Sequence, residues 1–113
     1  MEKMEETWFK EAQIALTVAD KAGNIIYMND LSKNTFAKFG DLIGRSLFDC
    51  HSETSANMIT QMLRDGSSNV YTIEKKGIKK VIIQLPWKVN GETAGILELS
   101  MVLPERLPHF IRE

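Results

Sequence analysis

The apolar positions of this chain change period along its length. Met4, Trp8, Phe9 and Ala12 recur at helical spacing and predict an N-terminal amphipathic helix within residues 1–13. Ile14, Leu16 and Val18 then alternate with Ala15, Thr17 and Ala19, the period of a strand. Asp20-Lys21-Ala22-Gly23-Asn24 supplies turn chemistry before the short β-rich run Ile25–Met28, so a hairpin is expected. Asn29 or Asp30 can cap a helix with Leu31, Thr35, Phe36 and Phe39 as its stripe, ending at Gly40. After a turn-rich stretch anchored by Leu42, Ile43, Leu47 and Phe48, Ser52 or Thr54 opens a further helix. It reaches Asp65 with Met58, Ile59, Met62 and Leu63 on one side.

The rest reads as strands. Val70–Glu74 is followed by the turn Lys75-Lys76-Gly77 and by a long run from Ile78 to Trp87. Asn90-Gly91 is the strongest hairpin signal in the sequence, and Thr93–Leu103 follows it. In the long strand Val81, Ile83, Leu85 and Trp87 share one face; in the last, Leu97, Leu99 and Met101 alternate with Ile96, Glu98 and Ser100. Five strands with helices gathered between the second and third predict an α+β fold on an antiparallel sheet. The domain spans residues 14–103, and Pro104 and Pro108 mark a C-terminal tail, 104–113.

Composition narrows the function classes. The 113 residues suffice for one domain, and 43% hydrophobic with 26% charged residues is the balance of a folded chain. A net charge of −1 with scattered basic residues gives no nucleic-acid footprint. No run approaches the roughly 20 apolar residues of a membrane span, and the acidic start is unlike a secretion signal; a cytoplasmic location is expected. Cys50 is the only cysteine, which excludes an intramolecular disulfide. No phosphate loop, zinc-protease helix or serine-hydrolase elbow is present. Asp49, His51 and Ser52 or Ser55 can be drawn as a triad, but closeness in sequence says little about triad geometry, and caps and turns account for them. A non-enzymatic role is expected.

Four segments resemble the PAS domain family: Ala19–Asn29 its first hairpin, Phe39–Asp49 its helix-to-helix stretch, and Asn90-Gly91 with Gly95-Ile96-Leu97-Glu98 its last hairpin. The resemblance covers about Ile14 to Leu103 and implies a sheet order 2-1-5-4-3 with short helices on one face. It also implies a sensory and interaction module whose pocket holds a haem, a flavin, a metabolite or nothing. The pocket is expected from Met28, Phe36, Phe39, Leu47, His51, Met58, Met62, Ile83 and Leu97. The methionines Met28, Met58, Met62 and Met101 suit an irregular guest, although such stripes are ordinarily core. Ser46 and Leu47 stand where the light-sensing branch has Asn-Cys, so a flavin photoadduct is not expected. His51 is a candidate haem ligand, with a loop or capping role as the plainer reading, whereas His109 reads as a tail residue. A homodimer is expected through Met4, Trp8, Phe9, Ile82 and Ile96, with output passed to an effector protein or domain not in this sequence. The rival readings are a ligand-free dimerisation scaffold and a haem-based sensor.

Overall fold

In the computed structural model, residues 4–50 and 52–113 are described. Helix α1 is Met4–Lys10; strands β1 and β2 are Ala15–Asp20 and Ile25–Met28. Helix α2, Asp30–Thr35, runs into a 3₁₀ turn at Ala37–Phe39. A second 3₁₀ turn, Leu47–Cys50, precedes helix α3, Glu53–Asp65. Strands β3 (Asn69–Lys75), β4 (Ile78–Val89) and β5 (Glu92–Val102) complete the chain. The sheet order is β2-β1-β5-β4-β3, every pair antiparallel, as the sequence resemblance implies.

The hairpins follow from their turn residues. Asn90 and Gly91 both take positive φ, 51° and 83°, which is the backbone a two-residue turn needs to match strand twist. Lys76 and Gly77 do the same between β3 and β4, at 53° and 80°. Gly95 answers a different need. The Trp87 indole crosses the place its side chain would fill and donates to the carbonyl of Ala19 at 2.9 Å, tying β4 to β1 across β5.

The predicted second helix is interrupted. α2 stops at Thr35, Phe36 leaves helical geometry, and the chain tightens into the 3₁₀ turn. Gly40 ends this segment at φ 77° and ψ −156°, outside the αL region where helix-ending glycines commonly sit. Ser52 caps α3 by accepting from the Ser55 amide, and Gly66 closes that helix in the αL conformation.

The core is Ala19, Ile25, Met28, Leu42, Leu47, Ile59, Met62 and Ile96, between the sheet and the helices. Ile25 and Met28 lie three apart on a four-residue strand yet both point inward. The register explains this: Val18 pairs with Tyr27 but Ala19 with Ile25, so Ile26 bulges out and the strand changes face.

Asn29 joins the pieces. It is wholly buried, and its Oδ1 accepts from the amides of Leu16 (2.9 Å) and Ser32 (3.1 Å). Its Nδ2 donates to the carbonyls of Phe9 (3.0 Å) and Ile14 (2.8 Å). One side chain thus caps α2, holds the start of β1 and receives the end of α1. Replacing it with Asp keeps the acceptors but removes both donors, leaving two carbonyls facing a carboxylate. Asn29→Asp and Asn29→Ala should therefore each cost about 2 kcal/mol or more in urea unfolding, from buried groups left unpaired. An aspartate variant of wild-type stability would show that the two donated bonds contribute nothing.

Candidate functional site

A cavity of about 280 Å³ opens between the sheet and the segment joining α2 to α3. Ile25, Met28, Phe36, Phe39, Leu42 and Leu47 form its apolar wall, while Thr17, Arg45, Asp49 and Glu98 bring polar atoms to it. The wall is held against β2 by backbone pairing. The Gly44 amide donates to the Ile25 carbonyl (2.7 Å), Ile25 donates to Arg45 (2.8 Å), and Leu47 donates to Gly23 (2.8 Å). This pairing turns Leu47 inward and leaves Arg45 and Asp49 exposed at the mouth.

Of the polar lining, Glu98 is joined to a chain of polar side chains that runs across the sheet away from the cavity. Asn69 Nδ2 donates to Gln84 Oε1 (3.1 Å), and Gln84 Nε2 donates to Glu98 Oε2 (3.1 Å). The three residues pair directly across β3, β4 and β5. Because Asn69 occupies the Gln84 oxygen, the Gln84 amide is fixed with its nitrogen toward Glu98. Gln84 is 3% exposed, so this geometry is shielded from water. On the neighbouring strand Thr17, the cross-strand partner of Glu98, shares with Ser32 a hydrogen bond of 2.6 Å that ties β1 to α2. Desolvation, and after it the negative charge of Glu98, raise the Tyr71 phenol above its ordinary value. No buried polar side chain among the described residues lacks a partner.

The cavity collects Met28, Phe36, Phe39 and Leu47 of the residues expected to line it. Met62 is packed in the core, and Met58 is half-exposed beside a shallow depression with Ser55, Asn69, Tyr71 and Gln84. His51 and the side chain of Met4 lie outside the described residues. The largest correction concerns strand parity. Ile82 (7% exposed) and Ile96 (1%), expected at an interface, face the helices. Ile83 and Leu97, expected in the pocket, are half-buried on the other face of the sheet with Leu16, Val18, Leu85 and Leu99. The inner face accepts Thr17, Gln84 and Glu98 because they bond to one another or to α2, or line the cavity; hydrophobicity alone therefore chose the wrong side. Trp8 is 70% exposed, and Phe9 packs edge-on against both Trp8 and Tyr27.

Sequence reasoning missed Glu98, Gln84, Thr17 and Arg45. For the first three the signal was polar residues recurring at period two in strands otherwise apolar on both faces; Arg45, in the turn-rich segment, carried none.

Among the described residues no cluster of His, Cys, Asp or Glu could hold a metal ion, and no helix is long and apolar enough to cross a membrane.

No family model and no curated protein matches the sequence. Solved structures do match in fold. A PAS domain from Colwellia psychrerythraea superposes with a TM-score of 0.67 at 18% identity, over 90% of this chain and 96% of that one. The PAS domain of BvgS from Bordetella pertussis gives 0.63 at 18% identity, over 90% and 85%. The sensor region of a sensor histidine kinase gives 0.60 at 19%, over 78% of this chain but 38% of that one. The chain has the PAS fold.

The inverted parity can be measured. Ile96→Ala should cost about 2–5 kcal/mol in denaturant unfolding, as for a well-packed core aliphatic. Ile83→Ala, measured in dilute protein, should cost clearly less. Equal costs would place both residues in enclosed surroundings and contradict the assignment.

Proposed function

We propose that this chain is a sensory signalling module that binds a small molecule between its sheet and helices and passes the change in occupancy to a partner. The observation that supports this reading most directly is the cavity, with an apolar wall and a few polar groups at Thr17, Arg45, Asp49 and Glu98. That combination lets apolar surface supply affinity and a few placed polar groups supply orientation. The likeness to PAS domains and to a kinase sensor region supports the sensory role at the level of fold. The reading is one of binding rather than catalysis.

The cavity volume sets the scale of the guest. Ligand pockets for drug-sized molecules run from roughly 300 to 1,000 Å³, and this one, at about 280 Å³, lies just below that range. That size favours a guest smaller than a haem. Freshly purified protein should therefore show, by native mass spectrometry, adducts of low mass or readily accept small organic compounds. A Soret absorption from protein purified after haem supplementation would overturn the small-guest reading in favour of a haem sensor.

The open face of the sheet supports self-association as the second part of the proposal. Leu16, Val18, Ile83, Leu85, Leu97 and Leu99 make a continuous apolar surface, and Trp8 stands exposed on α1. Apolar patches of this kind mark interaction sites, and a twofold homodimer is the commonest way to cover one. Sedimentation velocity of the intact chain should give a dimer, and the double variant Trp8→Ser, Ile83→Lys should give a monomer. A monomeric wild type at high micromolar concentration rejects the homodimer.

A further inference from the structure

We infer that the outer edge of β3 receives an extended segment of a partner protein, aliphatic at alternate positions and led by carboxylates that meet the lysines of the β3–β4 turn. The inference takes from the proposed function only that a partner exists, and adds the surface and the chemistry of the contact.

The sheet has two edges, and they differ. Along β2 the segment from Gly44 to Ser46 closes the edge: Gly44 donates to Ile25, Ile25 donates to Arg45, and Asn24 pairs with Ser46. The edge of β3 is open, and one bond fixes which of its groups point outward. The Lys79 carbonyl accepts from the Leu103 amide at 2.8 Å, so the backbone of Lys79 faces β5. Successive residues of an antiparallel strand bond to opposite sides. Ile78 and Lys80 therefore face β3, where Lys75 and Ile73 answer them, and Glu74, opposite Lys79, turns its N–H and C=O outward. The register runs from Asn69 to Lys75 without a shift, so Thr72 and Val70 do the same. Among the described residues no partner takes up these outward groups.

Nothing blunts this edge. Sheet edges are ordinarily protected by proline, a bulge or a central charge, and Val70-Tyr71-Thr72-Ile73 carries none of them. All four are good strand formers, and Val70, Tyr71 and Ile73 are exposed. A strand added here gains backbone bonds for affinity and alternate side-chain contacts for specificity. On the helix side Tyr71 borders a shallow depression with Ser55 and Met58, which an aliphatic side chain opposite Tyr71 would cover.

Charge selects the occupant. Basic residues that look scattered along the sequence gather at this turn: Lys75, Lys76, Lys79 and Lys80 are four of the chain's 14. Among the described residues none of the four makes an ion pair. A segment running antiparallel to β3 sets its first residues beside Lys75 and Lys76, where carboxylates are attracted. A second copy of β3, paired about Thr72, would instead set the neutral Asn69 and Ser68 against those lysines. The edge is also joined to the cavity, since Asn69 at the start of β3 bonds through Gln84 to Glu98.

The probe is the end-capped peptide Glu-Glu-Thr-Val-Thr-Val-Thr-Thr, titrated into the full chain and followed by amide chemical shifts and hydrogen exchange. It should protect the amides of Val70, Thr72 and Glu74, and its binding should weaken from about 50 to about 500 mM salt. The counterpart with two lysines in place of the glutamates should bind about tenfold or more weakly, the sum of several exposed charge contacts. The acidic peptide N-methylated at the threonine between its valines, the residue opposite Thr72, should not bind. Thr72→Pro should abolish binding and keep the fold, because Thr72 gives no ladder bond to β4 and an edge tolerates proline. Equal binding of the two charge forms, equal binding of the N-methylated form, or no binding at all overturns the inference and leaves the cavity reading untouched. Protection of the same amides in the protein alone, rising with concentration and lost in Thr72→Pro, would assign the edge to a second copy and overturn it as well. If Thr72→Pro does not fold, the N-methylated peptide decides.

Discussion

The fold depends on a single buried amide that has to satisfy four backbone groups at once. At Asn29 the chain leaves β2 for α2, while the end of α1 and the start of β1 pass within reach. Each of these segments ends with backbone groups that have no partner in its own element. Only a side chain with two acceptor sites on one atom and two donors on the other can meet them all, which is the inventory of asparagine. The neighbouring Thr17–Ser32 bond repeats the join one turn further on. Because α2 is only six residues long, it cannot hold itself by helical propagation, and its place depends on these bonds. The cavity wall that follows it, from Phe36 to Leu47, depends on α2 in turn.

Much of this was legible from residue order. Strand count, turn residues, the Ser52 and Asn29 caps and the sheet order all carry local or family signals that survive folding. The orientation of β4 and β5 did not. Both strands carry aliphatic residues on both faces, so a one-residue shift in the reading exchanges the two sides without violating the pattern. What decides the side is where Gln84, Glu98 and Thr17 can find partners, and those partners lie on other strands and on α2. Non-local hydrogen bonding overrode the hydrophobic alternation. The bulge at Ile26 is a similar case, since nothing local in Ile25–Met28 announces that both ends turn inward.

The same inversion changes the meaning of the surface. Under the sequence reading, the more apolar rows of β4 and β5 would be spent on the interior. In the structure they stand on the open face, and the inner face sets Gln84 and Glu98 among Ala19, Ile82 and Ile96. A protein gains little from placing Leu16, Val18, Ile83, Leu85, Leu97 and Leu99 where water reaches them unless something covers them. Equally, burying Gln84 beside Glu98 costs solvation that a plain aliphatic pair would avoid. Both choices run against stability of the isolated domain. Sites that break local rules in this way are where functional demands are expected to act.

Strand β5 links the two. Its alternate residues face opposite sides, so Ile96 and Glu98 touch the core and cavity while Leu97 and Leu99 face outward. Within the proposed function, a guest in the cavity lies against Glu98, on a strand whose very next side chains belong to the open face. β5 is also central, bonded to β1 on one side and β4 on the other, so it cannot shift alone. A displacement at Glu98 is carried to Gln84 through their hydrogen bond and to the β1 side through the ladder, because packed interiors transmit small shifts rather than absorb them. The Trp87 bond to Ala19, spanning β5, would move with it. The route from cavity to surface therefore has the thickness of one sheet, and no helix need rearrange for occupancy to alter the face a partner would contact.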